Sequence, residues 1–169
     1  MTEHTEKSTR TQSLIPTLTV KDAVRAIDFY KKAFGAEEIM RMPGPNGQKI
    51  MHAELTIGDS TIFLNDEFPE MGSRSPQTLG GVTGGLYLSV EDVDTVFKQA
   101  IEAGATEEMG VEDMFWGDRM GSLIDPFGHH WAIATHKEDV PPEELKKRSE
   151  EFFTKMGTCT KEHEVEASV

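Results

Sequence analysis

The chain has 169 residues, 37% hydrophobic and 28% charged, enough for one compact domain or two small modules sharing a core. A formal net charge of −13, with no cluster of Lys or Arg against it, disfavours nucleic acid and other polyanions as partners. No apolar run reaches the length of a membrane span, the N-terminus holds no apolar signal-peptide core, and the lone Cys159 excludes an internal disulfide; the expectation is a cytoplasmic protein with no membrane partner.

Residues 1–13 are polar and aperiodic and read as a disordered arm. A first module is expected over 14–68, opening with a strand at 14–20. From there Ala23, Ala26, Ile27, Tyr30, Ala33 and Phe34 form a helical stripe that Asp22 can cap and Gly35 can end. Strands over 36–42, 49–57 and 61–65 follow, separated by Pro43-Gly44-Pro45-Asn46-Gly47 and by Gly58-Asp59-Ser60. Residues 69–83, broken by proline and glycine, read as an inter-module loop.

The second module, 84–139, repeats the first at an offset of about 70 residues. Thr17-Leu18-Thr19-Val20-Lys21-Asp22 is echoed by Tyr87-Leu88-Ser89-Val90-Glu91-Asp92, and Phe34-Gly35-Ala36-Glu37-Glu38 by Ala103-Gly104-Ala105-Thr106-Glu107. Between these echoes Val93, Val96, Phe97, Ala100 and Ile101 make a second helical stripe, with Glu91, Asp92 and Asp94 at the favourable end of its dipole. Strands are expected over 106–111, 119–124 and 130–135, with a tight turn at Asp125-Pro126-Phe127-Gly128. Pro141-Pro142 then starts a C-terminal helix over 140–156, and 157–169 read as a flexible tail. Each half is β-α-β-β-β, and a duplicated half-domain places a cleft between its copies.

Strand alternation divides the side chains between two faces. Leu18, Val20, Ile62 and Leu64, with Leu86, Leu88, Val90, Trp131 and Ile133, are expected under the helices. Ile15, Thr17, Thr19, Phe63 and Asn65, with Gly85, Tyr87, Ser89, His130, Ala132 and Ala134, are expected on the opposite, concave side.

Ala26-Ile27-Asp28-Phe29-Tyr30, Phe115-Trp116-Gly117-Asp118-Arg119, Asp125-Pro126-Phe127-Gly128-His129 and Ile133-Ala134-Thr135-His136, with Glu138-Asp139 after them, carry a family likeness over about residues 14–136. In this arrangement the chain resembles the vicinal oxygen chelate superfamily (glyoxalase I, bleomycin-resistance proteins, extradiol dioxygenases), and within it the PhnB-like branch. The resemblance implies an α+β fold: two tandem modules forming a curved mixed sheet around a U-shaped cup, helices on the outer face, an extra C-terminal helix, and a homodimer. Laid onto this chain, the metal-ligand positions of glyoxalase I fall at Ile15, Phe63, Gly85 and Ala132. None has an imidazole, carboxylate or thiolate to offer a divalent ion, so glyoxalase I activity is not expected.

Candidate site residues remain. His52 and Glu54 share a strand face and need a third donor, His130 or His136, to hold a metal; otherwise they are the polar alternates of a half-buried strand. His129 and His130 point oppositely and cannot chelate together from one regular strand. Phe115 and Trp116 can wall an aromatic pocket, with Phe63 and Tyr87 of similar character. Asp118-Arg119 either offers a guanidinium to an anion or forms a corner, paired with nearby backbone or with each other. No serine sits on a Gly-x-Ser-x-Gly elbow, and Gly80-Gly81 and Gly84-Gly85 precede a strand rather than a phosphate-binding helix. Leu145, Phe152 and Phe153 give the C-terminal helix a face to pack on its own domain or on a partner subunit.

Three readings follow. The first is a small-molecule binder, metal-free and without a cofactor, that sequesters a compound or holds a metabolite. The alternative is a divalent-metal lyase, isomerase or dioxygenase-type enzyme with non-standard ligands such as His52, Glu54 and His130. The third is a cup filled by its own side chains.

Overall fold

The computed structural model describes residues 12–166. Residues 1–11 of the expected arm and 167–169 of the expected tail lie outside the described residues. The first module runs β1 (Thr17–Val20), α1 (Ala23–Phe34), β2 (Glu37–Pro43), β3 (Ile50–Ile57) and β4 (Ser60–Asp66). Asp22 caps α1 by accepting from the Arg25 N–H at 3.0 Å, and Gly35 ends it at φ 65°. The segment expected as a plain loop holds a 3₁₀ turn at Pro69–Met71 and a one-turn helix, α2 (Pro76–Leu79). Ser75 caps α2 and Pro76 occupies its first turn, where the missing N–H costs nothing.

The second module follows as β5 (Gly85–Ser89), α3 (Val93–Glu102), β6 (Thr106–Asp113), β7 (Asp118–Ile124) and β8 (His130–His136). The last helix, α4 (Pro142–Glu166), runs past the expected end at 156 and through ten residues read as tail. Its final turns are rich in Lys and Glu, good helix formers that carry no apolar stripe to announce them.

The α+β fold of tandem β-α-β-β-β modules is thereby borne out. The strands form two four-stranded mixed sheets, ordered β1-β4-β3-β2 and β5-β8-β7-β6, rather than one hydrogen-bonded sheet. In each, the leading strand pairs parallel with the closing strand and the other pairs are antiparallel. The edges β1 and β5 do not pair with each other. The modules join instead through α1 and α3, which pack together, and through one shared core.

Of the residues expected on the helix side, Leu18, Val20, Ile62, Leu64, Trp131 and Ile133 are buried, while Leu86 and Leu88 of β5, with Val90 just after it, are only half-buried, because β5 is an edge strand. Truncating a side chain such as Leu64 or Ile133 to alanine removes about 2–5 kcal/mol. The duplication extends to polar detail. Asp66, in β4, accepts from the Ala23 N–H at 2.9 Å, and Thr135, in β8, accepts from the Val93 N–H at 2.8 Å. Each satisfies an N–H at the start of its module's helix that has no intrahelical partner. Ala134, expected on the open face, is buried.

Helix α1 is buried on more than one side. The Tyr30 hydroxyl donates to Asp125 Oδ2 at 2.7 Å, and Trp131 Nε1 donates to the same oxygen at 3.1 Å. Asp125 Oδ1 accepts from the Phe127 and His129 N–H groups, both at 2.9 Å. Four donors thus meet one buried carboxylate, and burial together with that carboxylate pushes the Tyr30 phenol well above its usual range. Phe34 lies tilted against Trp131 (4.6 Å between centroids) and Phe29 meets Phe127 edge-on (6.1 Å), fixing α1 against the second module.

Candidate functional site

The sheet faces opposite the helices carry the candidate residues. On the first sheet, the β3–β4 register sets Glu54 across from Phe63, and β2–β3 pairing sets Met42 across from His52. His52 Nε2 lies 3.3 Å from Glu54 Oε1, and the His52 ring meets Phe63 edge-on at 4.7 Å. His52, Glu54 and Phe63 are therefore brought together. The same face is closed off at one end by the inter-module segment, where Asn65 Nδ2 donates to Ser73 Oγ at 3.1 Å and to Thr19 Oγ1 at 3.3 Å.

On the second sheet Asp118 is the centre. Its Oδ2 accepts from the Tyr87 hydroxyl at 2.8 Å and from Trp116 Nε1 at 3.1 Å, while Oδ1 lies 2.9 Å from His136 Nδ1. His136 Nε2 faces Asp139 at 3.2 Å. The hydrogen bond with His136 holds the Asp118 carboxyl below its usual range, and the same bond raises His136. Desolvation of the Tyr87 hydroxyl, with Asp118 beside it, pushes that phenol up to about 12, although the residue as a whole is 55% exposed. A broad aromatic face is thus held in place by one anchored hydroxyl.

The remaining candidates fall elsewhere. Phe115 meets Trp116 edge-on (4.9 Å between centroids) and lies tilted against Phe152 of α4 (5.2 Å), so the C-terminal helix packs on its own chain there. His130 Nδ1 lies 3.0 Å from Glu108. Arg119 pairs with Asp94 of α3 through two bonds (2.8 and 2.7 Å) and with Asp113 at 3.2 Å, so it is committed to a corner, though not to the partners expected. The corner depends on Gly117, at φ 101°, whose carbonyl accepts from the Lys137 and Glu138 N–H groups.

Phe63 on β4, Gly85 on β5 and Ala132 on β8, with Ile15 ahead of β1, supply no metal donor. Among the described residues, no three His, Cys, Asp or Glu side chains gather as a metal site. His52 and Glu54 lie on one sheet while His130 pairs with Glu108 on the other, so the set His52, Glu54 and His130 is not assembled within the chain. These residues do not fit a divalent ion held in the glyoxalase I manner.

Two hollows adjoin β5 at Tyr87. A cleft of about 940 Å³ is bounded by Leu14, Phe34, the β3–β4 turn, Tyr87, Leu88 and Trp131. A shallower one of about 280 Å³ lies among Tyr87, Glu108, Ser122, His130 and Ala132. Tyr87 borders both. The role of Asp118 as a hub escapes sequence reasoning, because its partners come from β5, β8 and the preceding turn. The signal within reach was register: Tyr87 pairs with Ala132, and Asp118 pairs with His136, on one sheet face.

Residues 11–133 match the Glyoxalase/Bleomycin resistance protein/Dioxygenase superfamily. An uncharacterized protein of Mycobacterium bovis is 47% identical over 137 residues, spanning 79% of this chain and 90% of that one. Among solved structures, TioX from Micromonospora sp. ML1 is 26% identical with a TM-score of 0.57, covering 74% of this chain and 98% of that one. A gene product of Arabidopsis thaliana is 25% identical with a TM-score of 0.59, covering 73% and 98%. The duplicated modules, their strand order and these matches agree: the chain belongs to the glyoxalase/bleomycin resistance protein/dioxygenase superfamily.

Proposed function

We propose that the protein binds a small, planar aromatic or hydrophobic molecule on the sheet faces opposite its helices, without a metal, to sequester it or to hold it as a metabolite. The observation that carries this reading is Tyr87: half its surface is open, its hydroxyl is fixed on Asp118, and it borders the open-face hollow among Glu108, Ser122, His130 and Ala132. Rigid aromatic area on an open sheet face suits such a ligand. The donor-free positions Ile15, Phe63, Gly85 and Ala132 support a metal-free mode. The family motifs point to the PhnB-like branch. A homodimer joins this reading, because β1 and β5 do not pair with each other and leave strand edges that a second copy can cover.

The test has two arms. Untagged protein purified without chelators or a nickel column is analysed for metal by mass spectrometry, then titrated with the fluorescent probe 8-anilinonaphthalene-1-sulfonate and with planar aromatic competitors. The expected result is folded, metal-free protein that binds the probe, with Tyr87→Ala weakening binding about tenfold, the value of one aromatic contact of about 1.4 kcal/mol. Near one equivalent of a divalent ion per chain would overturn the reading and favour the metal-dependent alternative. The close His52–Glu54 pair is the observation behind that alternative, and it needs a third donor from outside the group.

A further inference from the structure

Strand β2 is the outer edge of the first sheet, and its Met40-Arg41-Met42 alternates between two faces. Arg41 pairs with buried Ala53, on the helix side, where Glu38 accepts from both Arg41 and Lys31. Those two bonds hold the Glu38 carboxyl down at about 2 and tie the nearby positive charge to that side. Met40 and Met42 therefore stand on the open face, directly across from Glu54 and His52. Opposed residues of an antiparallel pair have Cβ atoms about 4.5–5.5 Å apart and diagonal neighbours about 7–8 Å, within reach of a long side chain. Both methionines are exposed, 42% and 46%, so the core does not account for either. Facing them is a half-buried His52, whose ring is roughly perpendicular to that of Phe63 with 4.7 Å between centroids.

We infer that Met40, Met42 and His52 form a binding site for a soft monovalent cation, copper(I) or its surrogate silver(I). Two thioether sulfurs and one imidazole nitrogen are the donor set that such an ion prefers, whereas Mg²⁺, Ca²⁺ and Mn²⁺ seek oxygen donors. Glu54 serves as the orienting partner. With the His52 Nε2–H donating to the Glu54 carboxylate, Nδ1 keeps the lone pair that a metal needs. The edge position leaves the site open to exchange, and binding involves no change in oxidation state. The proposal is independent of the aromatic-ligand reading, whose test is run without added metal.

The test uses the full chain carrying Cys159→Ser, which removes the one thiol that would bind copper(I) by itself. Anaerobic titration against bicinchoninate is expected to show one copper(I) held per chain. Met40→Leu with Met42→Leu should weaken it by about 100-fold or more, and Glu54→Gln by about tenfold, the range seen for an outer partner of a metal ligand. Leucine keeps the volume of methionine, and far-ultraviolet circular dichroism checks that the fold is kept. As a second measurement on the Cys159→Ser protein, silver(I) should shift the methyl resonances of Met40 and Met42 and leave those of the other methionines in place. Copper lost entirely to bicinchoninate, undiminished binding by the double leucine variant, silver shifts that miss Met40 and Met42, or equal affinity for zinc(II) would each overturn the assignment.

Discussion

Removing one hydroxyl, with Tyr30→Phe, tests how the two modules are held together. The Tyr30 side chain is fully buried and Asp125 is 3% exposed, so no water replaces the 2.7 Å bond when it goes. Asp125 keeps three N–H donors, from Phe127, His129 and Trp131, and is not stranded as an unpaired buried charge. The loss is therefore that of one hydrogen bond to a charged acceptor, about 1.5–3 kcal/mol, without the larger penalty of an orphaned carboxylate. For a chain of this size that lowers Tm by about 3–12 °C. Urea unfolding followed by circular dichroism should show a lower midpoint at an unchanged slope, since the same surface is exposed. A change below about 0.5 kcal/mol would refute the argument, because it would mean that the carboxylate does not hold the phenol in solution. Asp125→Ala, which strands all four donors, should cost well over twice as much, a large share of the 5–15 kcal/mol that typically separates folded from unfolded chains.

Tyr30 and Tyr87 are the only tyrosines, and both phenols are raised, so folded protein at pH 10.5 should show little tyrosinate absorbance at 295 nm and gain it on unfolding. Their contribution to stability is fully present below about pH 10, the ordinary phenol value, and is lost as pH rises through the folded values, about 12 for Tyr87. Asp118→Asn should bring the His136 pKa down towards its ordinary value, read by imidazole proton shifts in NMR; no movement would mean that the Asp118–His136 bond does not form in solution. In the parent, His136 stabilises below its unfolded pKa and loses this as pH rises through its raised value, while Asp118 stabilises above its unfolded pKa and loses this as pH falls. Gly117→Ala forces a side chain into φ 101° and places its Cβ 2.2 Å from the Glu138 carbonyl oxygen, so it should destabilise by at least about 2 kcal/mol, measured as a fall in Tm.

The parts of the fold legible from sequence are those whose cause is local. Alternation assigns Leu18, Leu64, Trp131 and Ile133 to the core, and the Asp22 and Gly35 signals bound α1, because each acts within one turn or one pleat. Phe29 shows where locality ends. It falls outside the stripe read from the sequence yet is buried against Phe127, a partner from the other module. The Tyr30–Asp125 bond spans 95 residues and leaves no periodic mark. At the site, strand parity gathers His52, Glu54 and Phe63 correctly, since all three lie on two adjacent strands. Phe115 is drawn away by Phe152, a contact that depends on the docking of α4 and that nothing near residue 115 foretells.

Helix α1 belongs to the first copy by chain connectivity and to the second by its contacts. Phe29, Tyr30 and Phe34 place their rings against Phe127, Asp125 and Trp131, and α3 closes on the same helix when Gln99 donates to the Ala33 carbonyl at 3.2 Å. Two copies that arose as repeats have thus lost their independence: neither can be excised without opening the other's interior. The pair should therefore melt as a single cooperative unit, and a chain cut between the copies should regain structure only when both fragments are present to supply each other's missing wall.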